Sequence, residues 1–167
     1  MSRTKKLALM AIITAASLCV FVLEAQLPPL VPVPGVKLGL ANIFTLFAFY
    51  VLQAPSALAI LLVRVVLGSL ITGQVSALGY SLCGGLLSYL VLFTMNRFFS
   101  RKQIWALSIF CAIAHNLGQV LLAAAVMGTI GIFWYVPALV LSALITGCFT
   151  GLVCQLILTR LKESNFL

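Results

Sequence analysis

The sequence has no aspartate, and among its 167 residues there are only two glutamates, Glu24 and Glu163, and one histidine, His115. Those shortages exclude much chemistry. Paired-carboxylate acid/base catalysis needs two acids at one site, and an acid-rich magnesium site for diphosphates needs several, so neither fits in this chain. One histidine does not build a conventional zinc site. No GxxxxGK[ST] segment occurs, so ATP hydrolysis has no phosphate loop to work with. The expectation is a non-enzyme with no metal and no cofactor.

Charge of any kind is scarce. Only 7% of the residues are charged against 63% hydrophobic, where a soluble domain carries roughly a quarter charged. So much apolar surface does not wrap around a soluble core, and a bilayer crossing takes about twenty residues. The chain is therefore an all-α integral membrane protein forming one transmembrane domain over residues 1–167. The net charge of +8 does not indicate nucleic acid, because the basic residues stand beside apolar spans rather than on one soluble face. The five cysteines, Cys19, Cys83, Cys111, Cys148 and Cys154, lie inside apolar stretches without zinc or redox spacing, and they read as small hydrophobic residues.

Apolar runs between polar, Pro or Gly punctuation place six spans near 7–27, 38–52, 57–71, 77–93, 104–127 and 132–158. A single helix over 38–71 would run about 50 Å, well beyond the roughly 30 Å hydrocarbon core, so Gln53, Ala54, Pro55 and Ser56 mark a hairpin. The first span follows Arg3, Lys5 and Lys6 without a small-residue cleavage site and is read as retained. With both termini cytoplasmic, the inner segments hold Arg3, Lys5, Lys6, Arg97, Arg101, Lys102, Arg160 and Lys162, which is eight of the ten basic residues. The positive-inside rule favours that arrangement.

Segment 28–37 has four prolines in seven positions, is apolar, and falls outside. Proline fixes φ and removes a backbone donor, so this stretch is not an ordinary helix. Two readings stand: a lid over the mouth of the bundle, or a rigid connector in the interface.

Polar groups within spans are costly to insert, on the order of 2.5 to 3.5 kcal/mol for a central Arg, and they face a bundle interior or water. Arg64 sits midway along the third span between Leu61, Leu62, Val63 and Val65, Val66. Counting depth from the topology puts Glu24, Lys37, Asn42, Arg64 and Gln119 in the outer half or near the midplane, with His115 and Asn116 close to the middle of the fifth span. His115 and Gln119, four apart, share a helix face. Together these seven residues are the candidate substrate-binding set for a small molecule, with anionic or carbonyl-rich ligands favoured by the excess of basic groups. The plain alternatives are a Glu24–Arg64 ion pair and interhelical hydrogen bonds from His115, Asn42 and Asn116. Ala11 and Ala15 form a small-xxx-small pair, Gly147 and Gly151 a GxxxG, and Gly79, Gly84 and Gly85 mark tight crossings in the fourth span.

The alanine-rich first helix, Leu7 to Ala16, and the run Pro34 Gly35 Val36 Lys37 Leu38 Gly39 Leu40 Ala41 Asn42 resemble the bacterial Gx transporter family, also labelled heptaprenyl diphosphate synthase component I. That family is similar to the S components of energy-coupling-factor vitamin transporters. The resemblance implies a six-helix, S-component-like bundle that captures a vitamin-like, isoprenoid or anionic molecule from outside. It also implies docking through Ala11 and Ala15 on a transmembrane coupling protein driven by two ATPase subunits. The family label implies a different role, a noncatalytic membrane adaptor of heptaprenyl diphosphate synthase in isoprenoid or menaquinone synthesis.

Overall fold

A computed structural model describes residues 2–27 and 39–163. Six α-helices follow in order: α1 Arg3–Glu24, α2 Asn42–Leu52, α3 Ala54–Ile71, α4 Val75–Met95, α5 Ile104–Met127 and α6 Val136–Glu163. Short 3₁₀ turns fill the connections at Asn96–Phe98, Arg101–Gln103 and Ile130–Tyr135, and no strand occurs among the described residues. All of these helices except α2 lie in segments long and apolar enough to cross a bilayer. The expected all-helical, multi-pass membrane bundle is the observed architecture.

The helices wear their apolar residues on the outside, as a lipid solvent demands. In α3, Leu62, Val63, Val66, Leu67, Leu70 and Ile71 are exposed, while Ala57, Ile60, Leu61, Arg64, Val65 and Gly68 are buried. The buried set recurs every three or four residues, so the inward stripe of α3 is where its one cation sits. Inserting Arg64 on the opposite face would have left it in hydrocarbon.

Only α5 coincides with its expected span; the other five helices shift by two to five residues at one end or both, and two of the shifts change the connections. The second has only 11 residues, about 16 Å of rise, because residues 39–41 form a turn rather than a first helical turn. The sixth begins at Val136 rather than at 132, after the 3₁₀ segment Ile130–Tyr135. Gln53 alone joins α2 to α3, at φ 75° and ψ 163°, a conformation reserved almost entirely for glycine. The hydroxyl of Tyr89 on α4 donates to the Ala54 carbonyl at 2.8 Å, holding the start of α3 just beyond that corner.

Close helix crossings fall where glycines were noted. A side chain at Gly151 would meet the Trp105 Cα at 2.5 Å, and one at Gly147 the Ile109 Cα at 2.7 Å, so the GxxxG pair seats α6 on α5. Gly84 and Gly118 do the same for α4 and α5, with the Gly84 Cβ position 2.7 Å from the His115 carbonyl. Gly85 faces Leu61 of α3. Backbones that approach this closely gain dispersion contacts that bulkier residues would prevent. The result is a three-helix slab of α4, α5 and α6 against which α2 and α3 pack, with α1 lying on α2 and α3.

Candidate functional site

The polar interior begins at the end of α1. The Glu24 side chain, 6% exposed, accepts a hydrogen bond from the Gly39 backbone N–H, and the amides of Leu40 and Ala41 also face it. These amides open the turn that leads into α2, where helix N–H groups lack intrahelical partners and the helix dipole favours negative charge. The carboxylate therefore closes the N-terminal end of α2. Asn42, Ile43 and Phe44 complete the corner with backbone bonds to Gly39, Leu40 and Ala41 at 2.9, 3.2 and 3.3 Å.

Arg64, 2% exposed, reaches the same corner from α3. Its Nη2 donates to Asn42 Oδ1 at 3.0 Å, and its Nε has no hydrogen-bond partner. The ion pair expected as the plain alternative is not formed: among the described residues the only salt bridge is Arg160–Glu163, at 3.3 Å on the exposed tail. Glu24 and Arg64 interact at longer range, because the carboxylate is held by the backbone of 39–41 and the guanidinium by Asn42.

His115 approaches from α5. Gly39, at φ 78°, lies against its ring: an added Cβ would stand 2.8 Å from His115 Cδ2 and 2.9 Å from Asn42 Nδ2. His115 Nε2 is 2.8 Å from Gln119 Nε2, and Nδ1 faces the Gly84 backbone without a bond of normal geometry. With the Gln119 amide oriented so, it donates and Nε2 accepts, an assignment made from the network. Glu24, Gly39, Asn42, Arg64, Ser81 and His115 thus share a cavity of about 10 Å³, which Phe21 also lines. The Ser81 hydroxyl, on α4, is buried and unpartnered like Arg64 Nε. That volume is the room of one water molecule.

Four of the seven candidate residues, Glu24, Asn42, Arg64 and His115, line this cavity. Gln119 stands behind His115 as its hydrogen-bond partner. Asn116 turns the other way, its Nδ2 donating to the Leu139 carbonyl at 2.9 Å, which ties α5 to α6. Lys37, and the proline-rich stretch 28–37, lie outside the described residues. Gly39 and Ser81 also line the cavity, though neither carries a charge or a side-chain amide that marks it in the sequence. The signal for Gly39 is its place in the Gly39–Asn42 run, whereas Ser81 carries none.

Near the middle of α1, Ala11 and Ala15 are exposed on its outer face. Among the described residues no three His, Cys, Asp or Glu side chains gather where a metal ion would be held.

The family profile of heptaprenyl diphosphate synthase component I matches residues 13–157. The chain belongs to the heptaprenyl diphosphate synthase component I family. The match runs from within α1 to near the end of α6, so the whole cavity lies inside it. No curated protein and no solved structure matches the chain.

Proposed function

We propose that this family member is a noncatalytic membrane component that captures a small molecule from the outer side of a bacterial cell membrane, as the substrate-binding part of an energy-coupling-factor-type transporter. One observation carries the reading: a fully buried Arg64 whose Nε lacks a partner, on the wall of a cavity shared with Asn42, His115 and Glu24. A membrane protein does not keep an idle cation at that depth, and an under-satisfied guanidinium is a group waiting for an acceptor. The cavity has room for about one water, so capture requires the 39–42 corner to swing away from His115. Both termini face the cytoplasm in this reading, and the exposed Ala11 and Ala15 would meet a transmembrane coupling protein whose ATPase subunits supply the drive that this chain has no phosphate loop to provide.

The family's own description favours a second reading, in which the chain is the membrane partner of a heptaprenyl diphosphate synthase and presents or accepts an isoprenoid. Affinity purification from gently solubilised native membranes separates the two. Coupling protein and ATPases in the eluate support transport; a soluble prenyl synthase supports the adaptor. Arg64→Ala tests the site itself. Loss of a retained small molecule from a protein that stays monodisperse is the expected result, and unchanged retention removes Arg64 from the site.

A further inference from the structure

The cavity beside Arg64 has a neighbour. A second one, of about 20 Å³, lies between α2, α4 and α5, and Gly39 and Asn42 line both. The Asn42 side chain is therefore the partition between two chambers, and it is held in place by its bond to Arg64.

The chambers differ in character. The first offers two buried donors that nothing uses, Arg64 Nε–H and the Ser81 hydroxyl. Arginine donates only, so whatever completes this chamber must accept. The one nearby carboxylate is already engaged with the amides that open α2, which leaves the guanidinium with a neutral amide as its partner. Planar, bidentate acceptance by a carboxylate or a phosphate is the match for a guanidinium in such a place. The second chamber is walled by Leu46, Leu61, Leu92 and the Tyr89 ring, with Thr45 contributing one unpartnered hydroxyl. Its other hydroxyls have partners or lie against them: Ser108 bonds Thr150 at 3.1 Å, and Ser88 faces the Cys111 thiol.

We propose that the ligand of this site carries an oxyanion, grasped by Arg64 and Ser81, and a slender, mostly apolar body that passes Asn42 into the chamber walled by Leu46, Leu61 and Leu92. The proposal rests on the small-molecule reading above and names the class of molecule. Entry requires Asn42 to turn aside, which hands its place on Arg64 Nη2 to the ligand, so each incoming oxyanion replaces a neutral acceptor with a charged one. The same movement joins the chambers. A cation of equal size gains nothing from Arg64, and a small inorganic anion fills the first chamber alone.

The test uses the full chain in phosphatidylcholine nanodiscs, titrated calorimetrically with four probes sharing one body: phenylbutyrate, phenylbutyl phosphate, phenylbutanol and phenylbutylammonium, with acetate as the bare head. Both anions are expected to bind roughly ten- to a hundredfold more tightly than the alcohol, the range of one charge-assisted hydrogen bond, and the amine not at all. Arg64→Gln should erase that preference, and Arg64→Lys should restore part of it. Thr45→Leu and Ser88→Leu, two independent fillings of the second chamber, should weaken phenylbutyrate at least tenfold and leave acetate unchanged. The ratio of the two anions tells carboxylate from phosphate. Displacement of either by added phosphatidylglycerol assigns the oxyanion to a lipid headgroup, and its failure assigns it to a free molecule.

Equal binding of alcohol and anions, or tighter binding of the amine, overturns the ligand class while leaving a small-molecule site standing. If no probe binds, native mass spectrometry of protein from its own membrane decides. A retained anionic amphiphile upholds the proposal, a retained molecule of another class overturns it, and an empty monodisperse protein overturns both it and the capture reading.

Discussion

Gly39→Ala probes the corner on which the site depends. The perturbation has two separable parts. Gly39 sits at φ 78°, where an L-residue is disfavoured by about 1–2 kcal/mol. The added methyl would also stand 2.8 Å from the His115 ring and 2.9 Å from the Asn42 amide, and overpacking of this sort costs about 1–3 kcal/mol. The single substitution should therefore destabilise the bundle by about 2–5 kcal/mol. Because the displaced groups are His115 and Asn42, it should also loosen the Asn42–Arg64 bond. His115→Ala removes the clash with the ring but neither the contact with Asn42 nor the backbone strain, so the double variant should recover part of that overpacking cost, about 1–2 kcal/mol relative to the sum of the singles. Denaturant unfolding in mild detergent, followed through the fluorescence of Trp105 and Trp134, measures all three variants against the parent. Additivity within about 0.5 kcal/mol would show that Gly39 and His115 do not touch, and the closed corner described above would be wrong.

Gln53→Gly should stabilise the protein by about 1 kcal/mol in the same assay, since glycine relieves roughly 1–3 kcal/mol of strain at φ 75° and returns about 0.5–1 kcal/mol as lost chain entropy; a destabilised variant would deny the strain. Asn116→Ala should cost about 1 kcal/mol through the lost bond to the Leu139 carbonyl while leaving ligand retention intact; lost retention from a stable protein would put Asn116 back in the site. Glu24→Gln keeps an acceptor for the Gly39 amide but removes the charge at the start of α2, and should destabilise by about 0.5–2 kcal/mol, diminishing with added salt less than a surface pair would. Gly151→Val, aimed at the Trp105 backbone 2.5 Å away, should separate α5 from α6 and lower the thermal midpoint more than Gly79→Val, whose nearest neighbour is the movable Leu122 side chain at 3.3 Å.

The fold was legible because the bilayer simplifies the code. Apolar runs and the loops between them read out as helices and connections whatever the packing, and the break at Gln53 followed from a length that no bilayer accommodates. What the sequence concealed was direction. Asn116 and His115 are neighbours on α5, yet one reaches α6 and the other the cavity, since adjacent helical positions are about 100° apart and only the packing says which way each faces. The apolar pattern gave no help, because lipid-facing and interior positions are both hydrophobic here.

The pairing of charges was hidden for a related reason. From sequence, one acid and one buried base invite an ion pair, since each is expensive alone in hydrocarbon. That argument omits the backbone. A short α2 beginning at Asn42 presents the amides of 39–41 in the buried corner, a set of donors as much in need of a partner as any side chain, and Glu24 answers them. Once the lone interior acid is committed to a helix end, Arg64 is left with the carbonyl of Asn42 and a spare Nε–H facing a cavity. The truncation of α2 and the under-satisfied Arg64 are thus one structural fact seen from two sides. Restoring an acid to Arg64, as in Ser81→Asp, should fill that vacancy, and if the site takes an oxyanion the variant will fold at least as stably and bind none.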